Sequence, residues 1–497
     1  MGVVLLRRGR FARPMEPTAS EYISSMKDDS AIFHPVVQIN IAHTIMLAEQ
    51  GIISGEEAAA ILKALHSLHR GGISKLDLRP ELEDIHMAVE EFVIKETGEE
   101  IGGKLHTAKS RNDQVSAAIR LALRKKLLDL GDQLLKLVNT LLVQAEKNIE
   151  TVMPGYTHLQ TAEPTTFAHY LLSYCAAFLR DIERVENAYE MTNSSPLGAC
   201  AFAGTSFPID RARVARLLGF KKVDENTMDA VGSRDFALQS IGAAAIAMTN
   251  LSRLAEEITL WSSAEFSLID LPDELSSTSS IMPQKKNPVV AELARAKAAR
   301  VIGNLAGALA LVKALPQAYN LDLQELTPLL WNSIDETISS FEVMEKLIAA
   351  LKPRREEMLK QVERGFSAAT ELAATLVREA GISFREAHSI VGRMISTAIE
   401  NNRTAADLTV EDLKKASHEI IGREITISQE KMKKAIDAKN CVYSRNIIGG
   451  PGPKALKQQL TALNTEVRKH HKLLWTWRRA VTRSEENLIK EAERRFK

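Results

Sequence analysis

A chain of 497 residues exceeds what one hydrophobic core ordinarily encloses, so two or three subdomains sharing a long helical body are expected. Its content is 45% hydrophobic but only 5% aromatic, mostly Ala, Leu, Ile and Val, which favours an all-α protein of packed helices. Lys and Arg number 64 against 63 Asp and Glu; that balance excludes broad nucleic-acid or anionic-membrane binding and leaves a small-molecule partner.

The opening MGVVLLRRGRFARP is basic, but its apolar core of about four residues is too short for a signal peptide. Gly2 does not signal myristoylation, because Leu6 stands where Ser or Thr is required. Short helical patterns such as Glu56 to Leu68, punctuated by Gly51, Gly55 and Gly71, predict a first domain over residues 1–108. From Arg111 to about Ile149 apolar residues recur every three or four positions, which predicts one helix of roughly 39 residues. Two further long patterns, Phe236 to Ser262 and Val289 to Leu315, are apolar around much of their circumference. Such helices must be covered by others, so residues 109–362 read as a central long-helix bundle whose exposed faces pair with other copies of the chain.

After about Arg364 the patterns shorten, with a capping box at Ser383 and Glu386 and a Gly-Pro turn at Gly449 to Pro453. Residues 363–497 therefore read as a third helical domain, with a basic helical extension from about 466 carrying Leu488, Ala492 and Phe496 on one face. No apolar run approaches the roughly 20 residues that cross a bilayer, the Ala-rich stretch from Ile241 being cut by Asn250. Cys175, Cys200 and Cys441 lie far apart without metal-ligand spacing, so no disulfide framework and no metal site are expected, and a cytoplasmic location fits.

Three stretches carry chemistry. Ser276 to Pro288 (SSTSSIMPQKKNP) reads as a small-residue loop before a helix, with Asn287 as its N-cap, Pro288 in its first turn, and Lys285 and Lys286 beside its positive end, where a carboxylate binds well. Lys104 to Gln114 (KLHTAKSRNDQ) places Ser110 and Asp113 as a capping box with Arg111 and Asn112 in the first turn, a second carboxylate cradle. Met153 to Phe167 (MPGYTHLQTAEPTTF) presents Thr157 and His158 from a Pro-Gly turn ahead of a helix starting near Pro164. Taken singly, each also reads as a solvated loop or an ordinary capped helix.

Their particular strings decide otherwise. SSIMPQKKNP resembles the GSSxMPxKxN signature of the fumarase/aspartase superfamily. EDIHM at Glu83 to Met87, GGKLHTAKSRNDQ, MPGYTHLQ, GTSFPID from Gly204, DAVGSRDF from Asp229, AYNLDLQE from Ala318 and FREAH from Phe384 resemble the argininosuccinate lyase/delta crystallin family within it, over about Leu6 to Lys454.

The resemblance implies a three-domain fold whose central helices form a 20-helix core in a homotetramer with active sites shared between subunits. It implies a lyase that splits argininosuccinate into arginine and fumarate and needs no cofactor. Ser279 would be the general base, Lys285 its activator, and His158, held by Glu292, the group on the acid side. Ser110, Arg111, Asn112, Thr157, Lys285 and Asn287 would bind the fumarate-side carboxylates, and Ser25, Asp84, Tyr319 and Gln324 the arginine end, with Arg234 nearby. The chain departs from the family pattern at Thr278, at Ala108-Lys109 and at Thr327, where glycine, Gly-Arg and lysine are common. Two alternatives are another fumarate-releasing lyase, such as adenylosuccinate lyase, aspartase or fumarase, and a non-catalytic structural protein like delta crystallin.

Overall fold

Glycine punctuation keeps the first helices short in a computed structural model that describes residues 13–496, so most of the basic opening segment lies outside the described residues. Helices α1 (Phe33–Glu49) and α2 (Gly55–Gly71) pack together, and α3 (Ile85–Thr97) lies against both. Helix α2 starts at a full capping box, Ser54 with Glu57. The segment Asp29–Glu49 is long and apolar enough to cross a membrane, a feature the sequence reading overlooked, but 83% of its apolar 18-residue window is buried inside the protein. Its apolarity serves packing.

Helix α4 (Arg111–Lys147) realises the long period read from the sequence, at 37 residues. Ten of its leucines are buried, each contributing about 2 kcal/mol of transfer free energy. A hairpin of β1 (Val152–Thr157) and β2 (Gln160–Thr166) then leads into α5 (Phe167–Thr192). Helix α6 (Asp235–Ser262) follows, then a small hairpin of β3 (Ser277–Thr278) and β4 (Lys286–Asn287), and α7 (Val289–Val312) and α8 (Leu326–Ala350). The bundle therefore holds five long helices. The sequence reading traced α4, α6 and α7; α5 and α8 are interrupted by polar and aromatic positions that blur the apolar period. Helix α4 packs on α5 and α8, and α6 on α5, α7 and α8.

Helix α7 is covered on little of its surface. Of its 24 residues only Ala291, Ala294, Ala298, Val301 and Ala308 are buried. Val289, Leu293, Ile302 and Leu309 are exposed, Leu293 by 57%.

A separate core is built by α9 (Ala369–Ala380), α10 (Phe384–Glu400), α11 (Val410–Ile421) and α12 (Gln429–Ile436), around Leu376, Ile390, Met394 and Leu413. The capping box expected at Ser383 and Glu386 starts α10. The basic tail is one 44-residue helix, α13 (Pro453–Phe496), longer than its charge pattern indicated. It runs along α2, α4 and α5, and its Leu456, Val467, Leu474 and Leu488 join the main core.

Candidate active site

Ser110 ends the chain's entry into α4. Its side chain accepts from the Asn112 N–H while the Asp113 carboxylate accepts from the Ser110 N–H, closing the capping box. The other Asp113 oxygen accepts from the N–H groups of Gly198 at 3.0 Å and Cys200 at 2.8 Å, so the cap also pins the loop leading to Gly204. Burial pushes the Asp113 carboxyl up to about 6 against those donors. Lys109 is buried beneath the turn and donates to the side-chain oxygen of Asn40, and burial brings its ammonium down to about 7. Asn112 donates to the Ala201 carbonyl at 3.1 Å.

Arg111 pairs with Asp84, which N-caps α3 by accepting from the Met87 N–H at 2.9 Å. Burial raises the Asp84 carboxyl, with the Arg111 charge opposing. Behind Asp84 lies Asp29, 5% exposed. Its Oδ2 accepts from the Ser25 hydroxyl at 2.9 Å and the Ile85 N–H at 3.0 Å. Burial is the main cause that pushes Asp29 up to about 7; the Ile85 N–H opposes it and the Asp84 charge adds to it.

Two further segments close this pocket. Gln324 donates to the Ile23 carbonyl at 3.0 Å, fixing it beside the Ser25 segment. Tyr319 lies in the fields of Arg234, Asp84, Asp29 and Arg111, and burial pushes its phenol up. Arg234 is 2% exposed and donates to the Val231 and Ser233 carbonyls, while its Nε and Nη2 have no partner among the described residues. Gly232 permits this meeting, since a Cβ there would stand 2.9 Å from the Ala318 backbone. Ser25, Asp84, Arg111, Arg234, Tyr319 and Gln324 thus gather within one chain.

His158 and Thr157 sit elsewhere, exposed at the tip of the β1–β2 hairpin. The expected Pro-Gly turn is a bulge inside β1; the chain reverses instead at His158 and Leu159, with φ of 55° and 57°. A two-residue hairpin whose strands twist correctly needs positive φ at both central residues. The helix accordingly starts at Phe167 rather than near Pro164. Non-glycine residues with positive φ also stand beside other assigned residues, Glu83 before Asp84 and Ala318 before Tyr319. Each costs of order 1 kcal/mol, a strain that clusters at functional sites.

Ser279 begins the loop between β3 and β4. Its Oγ accepts from the Ile281 N–H at 3.3 Å and the Met282 N–H at 3.1 Å, two donors that favour a negative oxygen. The two lysines separate here: Lys286 pairs with Asp273 at 2.7 Å and Asp270 at 3.5 Å, whereas no ion pair among the described residues reaches Lys285. Asn287 does not cap α7 as expected. Its amide faces the Ser277 hydroxyl at 3.4 Å because β4 pairing turns it toward β3, and Pro288 occupies the cap position. Glu292 is exposed in the first turn of α7.

Within one chain, no hydrogen bond or ion pair among the described residues joins the hairpin tip, the 279–287 loop and the Asp84–Arg111 pocket. The site residues form one finished pocket and two outward-facing pieces. Sequence reasoning missed Asp29, Lys109 and Asp113 as parts of this region. Asp113 was seen only as a cap, and Asp29 is one of two adjacent aspartates with nothing in the pattern to single it out.

A lyase family model matches residues 9–303, and the argininosuccinate lyase C-terminal family model matches residues 366–443. The argininosuccinate lyase of Methanocaldococcus jannaschii is 44% identical over 94% of this chain and 95% of that one. The argininosuccinate lyase of Methanothermobacter thermautotrophicus is 44% identical over 94% of this chain and all of its own length. Among solved structures, an EDDS lyase variant with bound fumarate superposes with a TM-score of 0.88 at 30% identity, covering 99% of this chain and 98% of that one. A class II fumarase from Schistosoma mansoni, at 18% identity over 82% of this chain and 90% of that one, shares the fold with a TM-score of 0.69. With both models and relatives over nearly its whole length in agreement, the chain belongs to the argininosuccinate lyase family of the fumarase/aspartase superfamily.

Proposed function

We propose that the protein cleaves argininosuccinate into L-arginine and fumarate by reversible anti-elimination, with Ser279 as base and His158 on the acid side. The observation that carries the reading is the buried pocket in which Asp84 and Asp29 stand beside Arg111 and Tyr319: carboxylates for a cationic arginine end, a guanidinium for an anionic succinate end.

The Ser279 alkoxide takes the proton from the carbon next to a substrate carboxylate, and the electron pair moves into that carboxylate as a dianionic aci form. Charge builds up there, so aimed donors are needed. Lys285, Asn287, Thr157 and the α4 start at Ser110, Arg111 and Asn112 supply them. A serine hydroxyl is too weak an acid to ionise unaided. The Ile281 and Met282 N–H groups already point at its oxygen, and the unpaired Lys285 ammonium adds positive charge once the loop closes. The C–N bond then breaks as the double bond of fumarate forms, and His158, oriented by Glu292, returns a proton to the departing guanidino nitrogen directly or through water.

Within one chain no hydrogen bond or ion pair among the described residues joins the hairpin tip to the loop, which favours their meeting from different copies of the chain. We infer a homotetramer with shared active sites, supported by the sparsely covered α7, whose apolar face continues from the loop that carries Ser279. The three unpaired cysteines fit a cytoplasmic location.

Fumarate absorbance during incubation with argininosuccinate tests the reading, with adenylosuccinate, aspartate, malate and EDDS run in parallel. Release from argininosuccinate alone is expected. Release from another of these but not from argininosuccinate would reverse the assignment, and the EDDS lyase similarity makes EDDS the competitor with an observation behind it.

A further inference from the structure

The turn from Thr107 to Ser110, which delivers the chain to the anion cradle at the start of α4, is tied at every residue. The His43 ring donates from Nε2 to the Thr107 carbonyl at 2.7 Å, and the Cys200 thiol reaches the Ala108 carbonyl at 3.4 Å. Lys109 is 9% exposed, and its ammonium donates to the side-chain oxygen of Asn40, itself 2% exposed. Asn40 donates in turn to the Val36 carbonyl at 2.9 Å, so it is fixed on α1. Ser110 then caps α4.

Two features make this anchorage more than packing. Ala108 has a φ of 59°, a left-handed conformation that strains an alanine and persists only where the surroundings impose it. Lys109 is a buried cation that no ion pair among the described residues reaches, and such a charge is costly unless nearby groups balance it.

The balance comes at longer range. Glu90 of α3 and Asp113 of α4 attract the ammonium, and Arg111 opposes them. Glu90 also holds His106 at 3.3 Å; burial works to raise its carboxyl, but His106, Lys109 and Arg111 together keep it below the ordinary carboxylate value. Burial brings His43 down to about 3 and His86 well below its ordinary value, so neither ring carries charge near neutral pH.

We propose that Lys109 is a positioning residue: its buried ammonium, held by Asn40 and facing Glu90 and Asp113, keeps the strained 107–110 turn in place and thereby aims Ser110, Arg111 and Asn112 at a substrate carboxylate. It touches no substrate itself, and no step of the elimination above uses it. The inference rests on the fumarate-side part of that reading. The arginine-end groups are fixed by other contacts, Asp84 by the Met87 N–H and Gln324 by the Ile23 carbonyl, so loss of Lys109 acts chiefly on one end of the ligand.

Lys109→Met keeps the aliphatic stem and removes the ammonium. Calorimetry on the full-length protein should find fumarate bound roughly ten- to a hundredfold more weakly, the worth of a hydrogen bond made by a charged group, and arginine weakened by less than about threefold. Lys109→Arg restores a permanent cation and should recover most of the fumarate binding. Ala108→Gly removes the strain that the tether holds and should recover part of it in the Lys109→Met background. The ammonium is the competent form and burial brings it down to about 7, so the fumarate affinity of the wild type should fall as the pH rises through that value. Lys109→Arg, charged throughout, should show no such fall there.

Unchanged fumarate binding in Lys109→Met, arginine binding weakened as much as fumarate binding, no recovery from Ala108→Gly, or a pH fall that persists in Lys109→Arg would overturn the proposal. Should Lys109→Met fail to fold, the pH dependence of the wild type against Lys109→Arg decides. Should the wild type release no fumarate from argininosuccinate, the proposed function falls by itself, and fumarate binding, which needs only the cradle, still decides on Lys109.

Discussion

The Asp84–Arg111 pocket and the 279–287 loop are both assigned to one reaction, yet they are built in opposite ways. The pocket is finished inside a single chain, its carboxylates mostly buried and tied by N-caps, an ion pair and backbone donors. The loop stands outward, with Ile281 83% exposed and Met282 41% exposed at its tip. Binding of a fixed ionic end calls for preorganised groups, whereas elimination calls for a base that can be closed over the substrate and released again. With the proposed roles, the division of labour is therefore between a preorganised receptor and an exposed loop that carries the base.

The sharpest break in that comparison is Ser279→Ala. Kinetics on the purified variant should show kcat down by about 10²- to 10⁴-fold with substrate binding kept, because the receptor is elsewhere; near-normal turnover would remove Ser279 as the base. His158→Asn should lose about 10²-fold by the same measurement. Mixing the Ser279→Ala and His158→Asn proteins after mild dissociation should restore part of the activity, since some reassembled sites would draw both intact residues from different chains. Strict absence of recovery would mean that hairpin and loop meet within one chain.

Leu293→Asp addresses the assembly. Its side chain is 57% exposed on α7, so the chain itself should fold, but a buried charge at a helix–helix contact between copies costs several kcal/mol. Sedimentation should find smaller species and fumarate release should fall in proportion. An intact oligomer with full activity would place the interface elsewhere.

How far these regions were legible in sequence follows from what each one depends on. The α4 start was legible because Ser110 and Asp113 form a local capping signal and the helix that follows has a clean apolar period. The turn at His158 and Leu159 was not, because neither is a residue that favours positive φ; only the pairing of β1 with β2 places them there. Lys285 and Lys286 are indistinguishable in the string, and the distinction comes from Asp270 and Asp273, distant enough to need the loop's fold. Asp29 depends on Ser25 and Ile85 meeting across more than fifty residues. Family strings proposed the site residues; contacts between segments decided their environment.

The smallest effect is expected farthest from both regions, at Ser383. Its hydroxyl accepts from the Glu386 N–H and its N–H donates to the Glu386 carboxylate, closing the cap of α10 in a core separate from the bundle. Ser383→Ala leaves the Glu386 N–H without its acceptor at an exposed helix end where water replaces it, so the cost is about 1 kcal/mol. Because α9 to α12 share their own core, the loss should appear as earlier proteolysis or hydrogen exchange of residues 369–436, with kcat and KM unchanged. A matching drop in turnover would mean that this outlying core is coupled to the catalytic loop, and the contrast between a preorganised receptor and an exposed loop would then have to include a third, remote support.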